Sequence, residues 1–323
     1  MLNDSLKIWR HETKNRLVMP PMQTNRTENN RVTGGLLDYY RDRARYTAPG
    51  LIVTEHLYIS GPGRAAGKQL SIAEDDTIDG HRRLSEVIHA EGSLVIAQIN
   101  HAGSAADPAD GSQPVSASGL AHPRAKGAPP RPLRVDEILA LEDVYVQAAL
   151  RAVRAGYDGV ELHAAHGYLF NQFYSPLTNR RDDAYGCGSV ENRCRFLLET
   201  AAKVRDAIGA GPILAVRLGG SDYTPGGSTE EDAVEACRLI EAQGADLLDL
   251  SGGMCGYTRA GHDEPGYFGS MTEKIKAAVS IPVILTGGVT RRAEAEQLLA
   301  DGKADLIGVG RALFQDAHLG EQV

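Results

Sequence analysis

The stretch ELHAAHGYLFNQFYSPLTNRRDDAYG, Glu161 to Gly186, holds several chemically capable side chains. An apolar run, Gly159–Leu162, delivers His163, then His166, then Tyr168. Two imidazoles can donate hydrogen bonds to one carbonyl oxygen. A phenol, with a reference pKa of about 10, is neutral at pH 7 and can protonate a carbanion-like centre. Two other readings stand beside this one. With His56 or His101 as a third ligand the pair could hold a metal ion, although neither H-x-H nor H-E-x-x-H spacing is present. Alternatively, these are satisfied polar groups beneath a loop.

A second constellation lies near the C-terminus. TGGV (Thr286–Val289) and GVGRAL (Gly308–Leu313) place Gly287, Gly288 and Gly310, followed by Arg311, where two apolar runs turn into helical patterns. Bare backbone N–H groups at a helix start favour an anion such as phosphate, and Arg311 could add a charge-assisted contact. The plainer alternative is a pair of tight turns. Arg217 sits inside the apolar segment AVRLGG. A desolvated guanidinium there needs an anion or several acceptors. It could pair internally with Glu55 or Glu161, or face a ligand that becomes anionic. Gln98, also inside an apolar run, can satisfy backbone groups or read the edge of a ring.

The elements that must position these residues alternate along the chain. Candidate strands are Arg16–Met22, Leu51–Leu57, Leu94–Asn100, Gly159–Ala164, Ile213–Leu218, Leu247–Gly252, Pro282–Gly287 and Leu306–Gly310. Their nearly continuous apolar character suits parallel strands buried on both faces. Helix-like stretches lie between them: Thr77–Glu91, Val135–Ala155, Ser189–Ile208, Thr229–Gln243, Thr272–Val279 and Arg292–Ala300. Eight βα units predict one (β/α)8 barrel over 1–323, with its site at the strand C-termini. An open doubly wound sheet is the alternative, but the first strand ends in Pro20, Pro21 and Met22 rather than G-x-G-x-x-G. The one composition break, His101–Arg134, follows strand three and is read as an extended insertion covering the mouth.

Composition narrows the function classes. The formal net charge of −8 disfavours a nucleic-acid or anionic-membrane surface. No apolar run approaches the ~20 residues of a membrane span, and the polar N-terminus has no signal-peptide core. Four cysteines without paired spacing point to a reducing cytoplasm.

With these residues in view, the chain resembles the Old Yellow Enzyme family of flavin-dependent ene-reductases. The likeness runs in order through NRLVMPPM (Asn15–Met22), LIVTEH (Leu51–His56), IAQINHAG (Ile96–Gly103), HAAHGYLFNQF (His163–Phe173), GSVENRCRF (Gly188–Phe196), VRLGGSDY (Val216–Tyr223) and ADLIGVGRAL (Ala304–Leu313). It looks closest to the bacterial branch of thermophilic-like reductases and the barrel domains of 2,4-dienoyl-CoA reductases. The resemblance implies a TIM barrel holding FMN non-covalently. Pro20, Pro21, Met22 and His56 would lie beside the isoalloxazine, Gln98 at its pyrimidine ring and Arg217 at its N1/O2 edge. Gly252, Gly287, Gly288, Gly310 and Arg311 would hold the phosphate. His163 and His166 would bind the oxygen of an enone or enoate, and Tyr168 would donate the proton. NADH or NADPH would deliver hydride to the flavin, which would pass it to Cβ of the alkene. Alternatives within the family are a dienoyl-CoA reductase and an amine-dehydrogenase-like enzyme; a metal-dependent barrel hydrolase or lyase lies outside it. A homo-oligomer is compatible with the resemblance. Gln23 and Asn25 stand where thermophilic-like relatives carry Cys and Tyr, and His56 where Ala or Gly is usual. The expected domain lacks the iron–sulfur and FAD/NAD domains of full dienoyl-CoA reductases, which implies reduction directly by NAD(P)H.

Overall fold

The computed structural model describes residues 1–122 and 128–319. Residues 123–127 of the expected insertion and 320–323 of the expected domain lie outside them. The predicted barrel is the fold. Its strands are β1 (Leu17–Met19), β2 (Leu51–Val53), β3 (Leu94–Asn100), β4 (Gly159–Ala164), β5 (Ile213–Ser221), β6 (Leu247–Gly252), β7 (Val283–Thr286) and β8 (Leu306–Gly308). Each pairs in parallel with the next, and β8 pairs with β1 to close the ring. Some strands stop earlier than the sequence pattern. Strand one ends at Met19 because Pro20 and Pro21 have no N–H for a ladder. Strand two breaks at Thr54–His56 and resumes as Leu57–Tyr58.

The surrounding helices are α1 (Gly34–Asp42), α2 (Ile78–His89), α3 (Val135–Arg154), α4 (Leu169–Tyr174), α5 (Val190–Ile208), α6 (Glu230–Ala242), α7 (Gly269–Lys276), α8 (Arg292–Ala300) and α9 (Arg311–Gln315). Ser189 caps α5 by accepting from Asn192 N at 3.1 Å, and Thr229 and Asp232 form a capping box on α6. The seventh helix begins at Gly269 rather than Thr272, and α1 and α4 have no counterpart in the apolar pattern.

Alternation along the strands sorts residues into two cores. Met19, Ile52, Val95, Ala97, Val160, Leu162, Val216, Leu218, Leu250 and Leu285 face the helices. Val18, Leu51, Val53, Ile96, Ile213, Ala215, Leu247, Ile284 and Leu306 fill the lower barrel. Ile8 joins this inner layer from an N-terminal hairpin, Leu6–Ile8 with His11–Thr13, and closes the bottom. Burying each of the Val, Leu, Ile and Met side chains contributes about 1.5–3 kcal/mol. Continuing the same parity upward, the inner face receives Gln98, Glu161, Arg217 and Asp249, and above them His163 and Ser251. The barrel therefore changes from apolar to polar toward its C-terminal end.

The segment after β3 forms a strap. Val115–Ser116 pairs in parallel with Arg131–Pro132. Arg181 Nη1 donates to the carbonyls of Ala117 at 2.8 Å and Leu133 at 2.6 Å, and Arg180 N donates to Ser118 Oγ at 2.6 Å.

Candidate functional site

The polar layer is built by register. Arg217 pairs with His163 across β5 and β4, and with Asp249 across β5 and β6. Its Nε lies 3.0 Å from Asp249 Oδ2, so the internal partner is Asp249 and not Glu55 or Glu161. Gln98 Nε2 donates to Glu161 Oε1 at 2.8 Å. One cation thus serves two buried carboxyl groups. Burial, then the nearby Asp249, pushes the Glu161 carboxyl well above the ordinary range. Glu55 instead clamps the loop after β1: it accepts from Thr24 Oγ1 at 2.6 Å and from Thr24 N at 3.4 Å.

Above this layer the structure brings the histidine pair and the tyrosine together. His163 ends β4 and is buried; His166 and Tyr168 are half-buried on the turn that follows. Ring centroids are 5.2 Å apart for His163–His166 and 5.0 Å for His163–Tyr168, both edge-to-face. The turn is tight. His166 takes φ +59 and Gly167 φ +75, and a Cβ at Gly167 would lie 2.1 Å from His122 Nε2 of the strap. His166 N donates to Gly252 O at 3.3 Å, and its Nε2 lies 2.7 Å from Ser251 Oγ. These contacts hold a backbone conformation that is costly for a β-carbon residue. Burial, reinforced by His166, His56 and Arg217, keeps the His163 imidazole neutral well below its usual range.

His56 belongs to the same group. Its ring stacks on Tyr168 at 5.3 Å and 28°, and stands edge-on to His163 at 6.0 Å. Among the described residues, no group of three or more His, Cys, Asp or Glu side chains is arranged to hold a metal ion. Asn100 Oδ1, Glu161 Oε2 and His163 Nδ1 are buried with no hydrogen-bond partner among the described residues.

The glycines divide into two kinds. A Cβ at Gly252 would lie 2.3 Å from Gly256 O, at Gly287 2.9 Å from the Tyr267 ring, and at Gly288, with φ +73, 2.7 Å from Glu264 O. The loop after β6 therefore packs against all three, which supports the tight-turn reading. Gly310 differs: a Cβ there would make only ordinary contacts, 3.5 Å to Pro20 and 3.7 Å to Met22. Packing does not require its small size. Arg311 follows as the first residue of α9. Pro20, Pro21 and Met22 lie where β1 ends, on this side of the mouth.

Sequence reasoning had not singled out Asp249, Thr24, Gln69 or His122. Asp249 was discoverable by the criterion that selected Arg217, a charge within an apolar strand, LLDLSG.

The family model described as NADH:flavin oxidoreductase / NADH oxidase family matches residues 2–323. An NADH oxidase of Thermoanaerobacter brockii is 38% identical over 311 residues, covering 94% of this chain and 47% of that protein. The chain thus spans about half the length of the first curated relatives it matches. An NADPH dehydrogenase of Bacillus velezensis is 37% identical over 307 residues, covering 94% of this chain and 88% of that protein. Among solved structures, a complex of 2-naphthoyl-CoA reductase with 2-naphthoyl-CoA superposes with a TM-score of 0.92 at 28% identity, covering 99% of this chain and 51% of that one. Morphinone reductase gives 0.87 at 29% identity, covering 99% and 88%.

Proposed function

The chain belongs to the NADH:flavin oxidoreductase / NADH oxidase family, and from that premise we propose that it binds FMN in the barrel mouth, takes hydride from NADH or NADPH, and reduces the C=C bond of an α,β-unsaturated carbonyl compound. One observation carries this reading: His163, His166 and Tyr168 converge at the strand ends beside the buried Arg217, the register partner of His163.

The residues present fit the cofactor. The buried Asn100 Oδ1 and His163 Nδ1 have no hydrogen-bond partner among the described residues, and buried polar atoms in native folds nearly always meet one, which a bound ring system would supply. Gln98, with its N–H committed to Glu161, would offer its oxygen to the ring N–H; Arg217 would lie at the N1/O2 edge of the same ring. Gly310 and Arg311, with the backbone at Gly252, Gly287 and Gly288, would hold the phosphate. Pro20, Pro21 and Met22 would pack along the ring. When bound, FMN supplies the two-electron carrier that moves hydride from the nicotinamide to the alkene.

The protein's own groups do the rest. His163 and His166 donate hydrogen bonds to the substrate's carbonyl oxygen and carry the charge that develops there. Because His163 is held neutral, it acts as a hydrogen-bond donor and not as a counter-ion. That favours ketones, aldehydes and thioesters over free carboxylates. Tyr168 gives its proton to Cα, and solvent restores it. The test is an absorbance spectrum of the purified protein before and after anaerobic NADH and NADPH, followed by cyclohexenone. Flavin absorbance should bleach with the nucleotide and return with the enone. A protein that neither carries nor takes up FMN would end the reading. The likeness to a 2-naphthoyl-CoA reductase supports a second reading, reduction of an acyl-CoA thioester, and an enoyl-CoA in the same assay separates the two.

A further inference from the structure

His56 is the residue whose surroundings the roles above do not use. Its ring is buried and fixed on every side. The side-chain amides of Gln69 and Asn100 both donate to Nδ1, at 3.2 and 3.1 Å, and Gln69 donates again to the His56 carbonyl at 3.1 Å. With Nδ1 an acceptor twice over, the proton sits on Nε2, which lies 3.4 Å from Gln23 Oε1. Gln23 is in turn tied to Asn25, and the adjacent Thr24 to the buried Glu55. A single network thus runs from the end of β2 through the loop after β1 to one imidazole, and that imidazole's flat face lies against Tyr168.

We infer that His56 is a positioning residue: its locked ring, stacked on the Tyr168 phenol and set edge-on to His163, holds the phenol O–H at the face from which Cα is protonated. Tyr168 stands on the turn after β4, at the N-cap of a six-residue helix, and is half-buried. A phenol in such a place has open rotamers unless a neighbour removes them. The His56 ring is one such neighbour, beside the His163 ring at 5.0 Å, and its hydrogen bonds keep it from moving with the phenol. Neutrality matters here too: burial holds the imidazole to about 4, so it presents an uncharged ring across the working pH range.

The inference rests on the proposed enone reduction, and the experiment separates the two. Wild type, His56→Ala, His56→Gln and His56→Phe holoenzymes are compared with 2-methylcyclohex-2-enone, whose new stereocentre is set by protonation at Cα. Measured on FMN-saturated enzyme, removal of the ring in His56→Ala and His56→Gln should slow the oxidative half-reaction on the order of ten- to a hundred-fold and lower the enantiomeric excess. His56→Phe, which keeps a ring, should restore most of the enantiomeric excess. Unchanged selectivity and rate in His56→Ala, or a His56→Phe enzyme no better than His56→Ala, overturns the inference. If wild type does not reduce the enone, the functional reading fails. The crystal structure of His56→Ala still decides this one: a Tyr168 ring displaced or split between rotamers supports it, and an unmoved ring refutes it.

Discussion

Arg217 and Asp249 stand opposite one another on β5 and β6, Nε to Oδ2 at 3.0 Å, with both side chains buried. Glu161, also buried and two residues before His163, feels the same cation and has no ion pair of its own among the described residues. The layer beneath His163, His166 and Tyr168 therefore favours a protonated Glu161 in the fold, and Arg217 is what makes a second buried carboxylate tolerable.

Arg217→Ala should accordingly do two things. It leaves buried carboxyl groups uncompensated, which costs about 3–5 kcal/mol, read as a lower urea midpoint. It should also reduce the FMN retained on purification, read from flavin absorbance per mole of protein. A variant with wild-type midpoint and flavin content would remove Arg217 from both roles.

Glu55 gives a pH signature. Burial pushes its carboxyl up to about 7 despite the hydrogen bonds from Thr24. The folded protein thus holds a proton that the unfolded chain, near 4.5, gives up. The stability this contributes is complete below about pH 4.5 and is lost as pH rises through about 7, at no more than about 1.4 kcal/mol per pH unit. Relative to Glu55→Gln, wild type should lose stability between pH 5 and 7.5 in urea titrations. Parallel stability curves for the two proteins would contradict this.

The two halves of the mouth should separate kinetically. Tyr168→Phe should leave reduction by NAD(P)H unchanged and slow enone-dependent reoxidation about 10²–10⁴-fold. His163→Ala should slow the same half-reaction about 10²–10³-fold and weaken enone binding as well. Stopped-flow traces of each half-reaction decide; a Tyr168→Phe enzyme with a wild-type oxidative phase would rule out the phenol as proton donor.

Much of this was legible because two physical signals are strong in this chain. Apolar runs buried on both faces marked all eight strands, and polar residues at their C-terminal ends marked the mouth. The weaker parts have reasons. The helix Leu169–Tyr174 is short and buried all round, its Asn171 and Gln172 included, so no 3.6-residue apolar stripe exposed it. Asp249 went unremarked and Glu161 stood as one candidate partner for Arg217 until register placed Asp249 across from Arg217 and Glu161 across from Gln98. The role of Ile8 in closing the barrel floor is invisible in a segment as polar as MLNDSLKIWRHETKNR. The clamp from Glu55 to Thr24 joins residues thirty-one positions apart, a proximity only the closed ring creates.

The strap residue His122 occupies the space that a side chain on Gly167 would need. Two segments far apart in sequence have thus been cut to one shape. A graft that exchanges the strap for a longer or shorter one also rewrites the seat of the paired imidazoles. Reshaping the strap and keeping the imidazoles where they are is, in this protein, a single design problem.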